Sequence, residues 1–271
     1  MILFPNAKIN LGLNILRKRN DAYHDIETVF YPIKIFDALE IISSDQNFQF
    51  TQSGLQVEDD KSNNLCLKAF ELLKKDSPKI GSVKMHLHKN IPVGGGLGGG
   101  SSDAAFTLKL IDQKFSLGLT TEKLLAYALQ LGSDCPFFIV NKPCSASSRG
   151  EFLETISLDL SAYKFVVVNP GVHVSTAWAF SHVIPTRPSK PVKEIILQPI
   201  ESWKAELKNS FEQLVFKQYP EIKNIKEELN NAGAIYCSMS GSGSTVYGIF
   251  KKDQQTRFHF PSTYFVKELS G

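Results

Sequence analysis

In "AKINLGLNI", near the start of the chain, Ile9, Leu11, Leu13 and Ile15 fall on one side of an extended segment and Lys8, Asn10, Gly12 and Asn14 on the other. That alternation predicts a strand with one apolar face and one narrow polar face, its Lys8 ammonium directed away from the core. Similar runs predict strands in "ETVFYPI", "ALEII", "NFQF" and "SVKMHLH". Apolar positions three and four apart predict helices in "NNLCLKAFELLKK", "SSDAAFTLKLIDQKF" and "TTEKLLAYALQLG", with a short apolar segment, "CPFFIV", after them. Farther on, "KFVVVNP" reads as a buried strand, "PEIKNIKEELNNAG" as a helix stopped at Gly233, and "IYCSMSGSGSTVYGIF" as two strands around a glycine-serine turn. The signals alternate without a repeat, which predicts an α+β chain in two parts with a junction near residues 145 to 160.

One stretch breaks every periodicity. "PVGGGLGGGSSDAA" begins at Pro92 and Val93 and puts six glycines into positions 94 to 100 (Gly94, Gly95, Gly96, Gly98, Gly99, Gly100) around Leu97, before Ser101 and Ser102. Glycine costs about 0.5–1 kcal/mol relative to alanine inside regular structure, so a run this dense needs a compensating role. A Walker A loop would place lysine after its last glycine, whereas here Ser101 follows Gly100. A dinucleotide fingerprint can be laid on Gly94, Gly96 and Gly99, but the following sequence continues as helix rather than as a second strand ending in an acid. Neither H-R-D nor D-F-G occurs, so the protein-kinase signatures are missing. The physics common to these devices still applies: bare backbone lets N–H groups converge on phosphate oxygens, and a helix start adds partial positive charge. Ser101 and Ser102 would stand at that helix start, as caps or as phosphate donors, with Asp103 in the first turn. A surface loop with a serine cap is the alternative reading.

Composition narrows the function classes. The chain has 271 residues, 42% hydrophobic, and its 30 basic and 27 acidic residues leave a net charge of +3, which supports no polyanion-binding surface. Cys66, Cys135, Cys144 and Cys237 show no metal-type spacing and predict free thiols in a cytoplasmic protein. Pro5, Lys8, Asn10 and Asn14 interrupt the apolar start, so no signal peptide and no membrane segment is expected. His86 and His88 share a strand face without an evident third ligand, and no metal role is assigned to them.

The glycine stretch resembles the phosphate loop of the GHMP family of small-molecule kinases. "PNAKINLGL" is similar to that family's first motif and "MSGSGSTVYGIF" to its third, in the expected order, so the resemblance spans nearly the whole chain. It implies a two-domain α+β GHMP kinase fold: an N-terminal domain (1–152) built like an RNA-binding ribosomal domain and carrying the ATP phosphate loop, and a C-terminal α+β domain (153–271). "DAYH" and "LGSDCPFF" resemble most the members that phosphorylate a cytidine-diphosphate alcohol on the way to isoprenoid precursors. ATP is then the phosphoryl donor, Mg²⁺ is expected with ligands unassigned, and the partner is a small-molecule CDP-alcohol rather than a nucleic acid or a membrane. Oligomeric state is unknown at this level. The alternatives are another kinase of the family, of homoserine or mevalonate type, and a non-catalytic RNA-binding protein, which the neutral charge balance disfavours.

Phosphoryl transfer asks a protein to position two substrates, stabilise charge and handle one hydroxyl proton. The resemblance makes Lys8 and Asp134 catalytic, although on residues alone Lys8 is a surface lysine and Asp134 a helix cap. It places Lys89 and Asn64 near the nucleotide with the glycine loop, and Asn10 and Thr176 near the second substrate. It also gives Tyr23 and Phe180 to stacking on cytosine and His24 to hydrogen bonding its edge. Ala22 departs from the family, which usually has glycine before the Tyr-His pair; if that position takes a positive φ, alanine is strained there.

Overall fold

The computed structural model describes residues 1–55 and 64–271. Residue 63, the first of the helix expected in "NNLCLKAFELLKK", lies outside them. In chain order the strands are β1 (Ile2–Leu3), β2 (Asn6–Lys18), β3 (His24–Phe36), β4 (Ala38–Ser43), β5 (Gln49–Gly54), β6 (Val83–Lys89), β7 (Cys144–Ser148), β8 (Phe152–Thr155), β9 (Tyr163–Asn169), β10 (Tyr236–Met239), β11 (Val246–Lys251) and β12 (Phe265–Ser270). The helices are α1 (Leu65–Asp76), α2 (Gly99–Phe115), α3 (Thr121–Leu131), α4 (Cys135–Val140), α5 (Thr176–His182), α6 (Val192–Ile196), α7 (Ile200–Glu206), α8 (Glu212–Gln218) and α9 (Pro220–Asn231).

The chain divides into two units that interleave along the sequence. The first is Met1–Ala7, Ile35–Val93 and Gly98–Lys142; the second is Lys8–Lys34, Gly94–Leu97 and Pro143–Gly271.

In the first unit a sheet of order β1-β4-β6-β5 pairs antiparallel except for parallel β5 and β6. Alternation on β6 buries Val83, Met85 and Leu87 while Lys84, His86 and His88 face outward. Lys89 is next in the buried register. His86 hydrogen-bonds Thr51 and Ser53, and His88 bonds Ser53, across the β5–β6 pair. The buried stripe of α2, including Ala104, Leu108 and Ile111, packs the helix among α1, α3 and α4. Each such fully buried leucine or isoleucine contributes about 1.5–3 kcal/mol. The "CPFFIV" segment is α4, a short helix with proline in its first turn, where the missing N–H costs nothing.

The second unit holds two sheets, β2-β3-β7-β8 and β10-β11-β9-β12. Pro32 lies inside β3 but beyond its register with β7, which ends at the Phe30–Cys144 pair, so its missing donor breaks no bond to that strand. β7 and β8, a hairpin that falls largely in the stretch expected as a junction, have little strand signal; the pairing of β7 to β3 and of β8 to β7 supplies the order. A core of Leu13, Ile15, Val166, Val168, Ile222, Ile225 and Leu229 joins β2, β9 and α9, and α9 ends before Gly233 at φ 89° as expected. The β10–β11 hairpin closes on residues 240 to 245 with a Ser240 N–H to Thr245 carbonyl bond of 2.9 Å.

Candidate functional site

In the glycine run, Gly94, Gly96 and Gly98 take φ values of 66°, 78° and 70°, and the intervening residues do not have positive φ. Such alternation turns successive N–H groups toward one concavity. At Gly96 a side chain is excluded twice over: the φ disfavours it, and a Cβ would strike the Ser240 carbonyl. Leu97, the one large side chain in the run, is fully buried and anchors it. Three consecutive loop carbonyls are engaged. Thr245 N–H donates to Gly95 (3.1 Å), Ser240 Oγ to Gly96 (2.8 Å) and Lys8 N–H to Leu97 (2.9 Å). Among the described residues no hydrogen bond is donated by the N–H groups of residues 94–97, so the loop is held by its acceptors and keeps its donors for a ligand.

The polar face of β2 is buried rather than directed to solvent, which corrects the residues-alone reading of Lys8 as a surface lysine; Lys8 is 4% and Asn10 3% exposed. Lys8 Nζ donates to Asn10 Oδ1 at 2.6 Å and lies 4.9 Å from the Phe30 ring centroid. Asn10 in turn donates through Nδ2 to Thr28 Oγ1 (3.0 Å), its main-chain N–H reaches Ser240 Oγ (3.2 Å), and its carbonyl accepts from Tyr247 OH (2.8 Å). Ser240 thus links the first motif to the glycine run. Buried polar groups of this kind stay only when satisfied, and a satisfied network fixes the rotamers of its members. No sequence signal singles out Thr28, Ser240 or Tyr247, although Ser240 and Tyr247 lie inside the third motif.

In the first unit the cap of α2 is Gly98, with no side-chain hydrogen bond, and the helix begins at Gly99. Ser101 and Ser102 are therefore in the first turn rather than at the cap. Ser102 Oγ is buried without a partner. Asp134 occupies the cap position of α4 but makes no capping bond with its side chain, so the capping reading fails. Asn64 does cap: its Oδ1 accepts from Cys66 N–H at 2.9 Å. Lys89 is 3% exposed, with its Nζ on Asp37 and on Asp103. No group of three or more His, Cys, Asp or Glu among the described residues could hold a metal, and all four cysteines are free.

At the β2–β3 turn, Ala22 has φ 67°, the positive value that suits glycine. Arg19 stabilises the turn through Asp21 (3.0 Å) and Asp25 (2.9 Å). Tyr23 is 53% exposed, and the Arg149 guanidinium lies 4.8 Å from its ring centroid. His24 is buried, and burial followed by the charge of Lys18 holds its pKa below the ordinary value, favouring neutral imidazole. Phe180 packs on His24 at 5.2 Å and edge-on to Phe211 at 4.9 Å. Of the expected base-binding residues, the structure thus joins His24 with Phe180, while the ring of Tyr23 meets Arg149. Thr176 Oγ1 hydrogen-bonds Ser242 Oγ at 3.0 Å.

Known proteins match this chain along nearly its full length. The family models for the GHMP kinases N terminal domain and GHMP kinases C terminal match residues 64–142 and 192–258. A 4-diphosphocytidyl-2-C-methyl-D-erythritol kinase of Azobacteroides pseudotrichonymphae is 52% identical over 93% of this chain and 94% of its own length. One of Bacteroides fragilis is 50% identical over 97% of both chains. A crystal structure of a 4-(cytidine 5'-diphospho)-2C-methyl-D-erythritol kinase, 29% identical, superposes with a TM-score of 0.81 over 100% of both chains. With identities this high over nearly all of its length, the chain belongs to the GHMP kinase family and, within it, to the 4-diphosphocytidyl-2-C-methyl-D-erythritol kinases.

Proposed function

We propose that this chain transfers the terminal phosphoryl group of ATP to the 2-hydroxyl of 4-diphosphocytidyl-2-C-methyl-D-erythritol, in the cytoplasm, within the non-mevalonate route to isoprenoid precursors. The observation that carries this reading is the 52% identity to a kinase of that name over 93% of the chain. The glycine run supports it independently, because a loop with anchored carbonyls and unused N–H donors, leading into a helix start, is suited to polyphosphate. No helix among the described residues is long and apolar enough to cross a membrane.

Residues 92–102 bind the ATP phosphates in this proposal, with Asn64 and Lys89 supporting the nucleotide side. Asp134 orients the attacking hydroxyl and receives its proton, and Lys8, fixed by Asn10, supplies the positive charge that holds that hydroxyl in line. Tyr23 and Phe180 offer rings to cytosine, neutral His24 hydrogen-bonds its edge, and Asn10 and Thr176 contact the rest of the alcohol. Mg²⁺ is an expected companion of ATP, held mainly by the phosphates, since the described residues present no preformed ligand set. Residues 1–152 and 153–271 are taken as the two domains of the family's fold. A turnover assay with ATP and Mg²⁺ tests the reading. Phosphorylation of the CDP-alcohol with none of homoserine or mevalonate is the expected result, and the reverse preference overturns it.

A further inference from the structure

A buried ion cluster in the first unit spans the two ends of the glycine loop. On the strand side, Lys89 is the last residue of β6, and Asp37 accepts the N–H groups of Asn90 and Ile91 through Oδ1, the latter at 2.8 Å. On the helix side, Asp103 belongs to α2, its carbonyl accepts from Thr107 Oγ1 at 2.7 Å, and a Cβ added at Gly99 would come within 3.3 Å of Lys89 Nζ. Lys89 Nζ holds both halves together by donating to Asp37 Oδ2 and, at 2.7 Å, to Asp103 Oδ2. The three side chains are 3%, 0% and 4% exposed.

The charges do not balance as drawn. Two ionised carboxylates and one ammonium would leave a net negative charge buried at the start of the helix proposed to receive phosphates, and unpaired buried charge is strongly disfavoured. Asp103 Oδ1 is also buried with no partner, and the two carboxyls converge on one ammonium, each accepting from Lys89 Nζ through Oδ2. We propose that Asp37 and Asp103 share one proton beside Lys89, and that this neutral cluster is a positioning clamp that fixes both ends of the glycine loop for nucleotide phosphates. Asp37 and Asp103 are thereby positioning residues for the reaction proposed above, and the inference rests on that reading.

The electrostatics agree. Burial pushes Asp103 up to about 7, with Asp37 adding to the rise and Lys89 opposing it. Burial alone would lower Lys89, but Asp103 and Asp37 outweigh it and hold the ammonium charged. Cys66, a further titratable group beside the cluster, is kept as a thiol by burial and then by Asp103. Bringing the negative phosphates of ATP to the loop strengthens the hold on the shared proton, so ATP binding takes up a proton in the window where the cluster titrates.

Calorimetric titration of ATP into the full chain, without the CDP-alcohol and in buffers of different ionisation enthalpy between pH 6.5 and 8.5, reads that uptake. Fractional proton uptake is expected for the wild type and its loss in Asp103→Asn, with the wild-type dissociation constant weakening relative to the variant's by up to about tenfold for a one-unit shift. The ratio to the variant cancels the titration of ATP itself. Asp37→Asn should abolish the same uptake, since either substitution ends the sharing. Equal uptake in wild type and both variants overturns the clamp and leaves the kinase reading standing, whereas a wild type that binds no ATP overturns both.

Discussion

In the glycine run the groups we propose for a ligand are main-chain N–H donors, whereas at the β2–β3 turn they are the side chains of Tyr23 and His24. The run gains its shape from three occupied carbonyls and positive φ values at Gly94, Gly96 and Gly98. The turn is braced by the Arg19 ion pairs, and its Tyr23 ring is exposed beside Arg149. A backbone site tolerates almost no side chain, because a Cβ would occupy the space its ligand or its neighbour needs. A side-chain site instead depends on neighbours far away in sequence, such as Phe180 against His24. The first kind therefore writes itself into composition, and the second does not.

In the proposed reaction both regions serve one transfer step, and the largest effect should come from disabling it while leaving them intact. Asp134→Asn is expected to lower turnover by roughly 10²–10⁴ with ATP and CMP binding retained, measured by steady-state kinetics beside equilibrium titration. Lys8→Met should do similar damage, and the double variant should lose little more than either single one, because the two roles belong to the same step. Additive penalties would separate them.

Gly96→Ala sharpens the backbone half of the comparison. The added Cβ meets the Ser240 carbonyl at an unfavourable φ, so a stability loss of about 2–4 kcal/mol is expected in denaturant unfolding, from overpacking and the left-handed backbone together. A loss under 1 kcal/mol would show that the loop yields easily.

A smaller effect concerns pH. Asp103 is raised in the folded chain above its ordinary carboxylate value, so its contribution to stability is full below about 4 and is lost as pH rises toward about 7, where the folded state gives up a proton that the unfolded state has already lost. Asp103→Asn should lack this decline, so its stability relative to wild type should improve between pH 4.5 and 8. A parallel shift at all pH values would contradict the raised carboxyl.

The smallest effect is expected at the turn. Ala22→Gly relieves a positive φ at the price of a freer unfolded chain, giving about 0.5–1 kcal/mol of net stability and about 2 °C in Tm. An unchanged or lower Tm would mean that the Arg19 pairs already absorb the strain.

Much of this was legible in the residues, for reasons that differ by element. The alternation around Ile9 to Ile15 locates β2, and Gly233 marks the end of α9, because both signals are local. The same alternation misleads about Lys8: a polar face reads as solvated, whereas here Asn10, Thr28 and the Phe30 ring enclose it. Helix α2 starts at Gly99 against glycine's poor propensity, since a Cβ there would crowd Ile91 at 3.0 Å, and so Ser101 and Ser102 are not its caps. β7, whose sequence is "CSASS", owes its strand to pairing with β3, which propensity does not register. The Lys89 cluster left a usable signal. Lys89 continues the Val83, Met85, Leu87 register, and a lysine on a buried face requires carboxylates nearby.

Equilibrium binding of ATP and of CMP to two variants, Gly98→Val and Tyr23→Ala, measures the contrast between backbone and side-chain recognition most directly. Valine at φ 70° should distort the loop and weaken ATP by at least about tenfold while CMP binds nearly as before. Loss of the Tyr23 ring should do the opposite, weakening CMP by roughly 5- to 150-fold for a stacking energy of about 1–3 kcal/mol and sparing ATP. If each variant weakens both ligands equally, the two regions are not separate recognition sites and the account is contradicted.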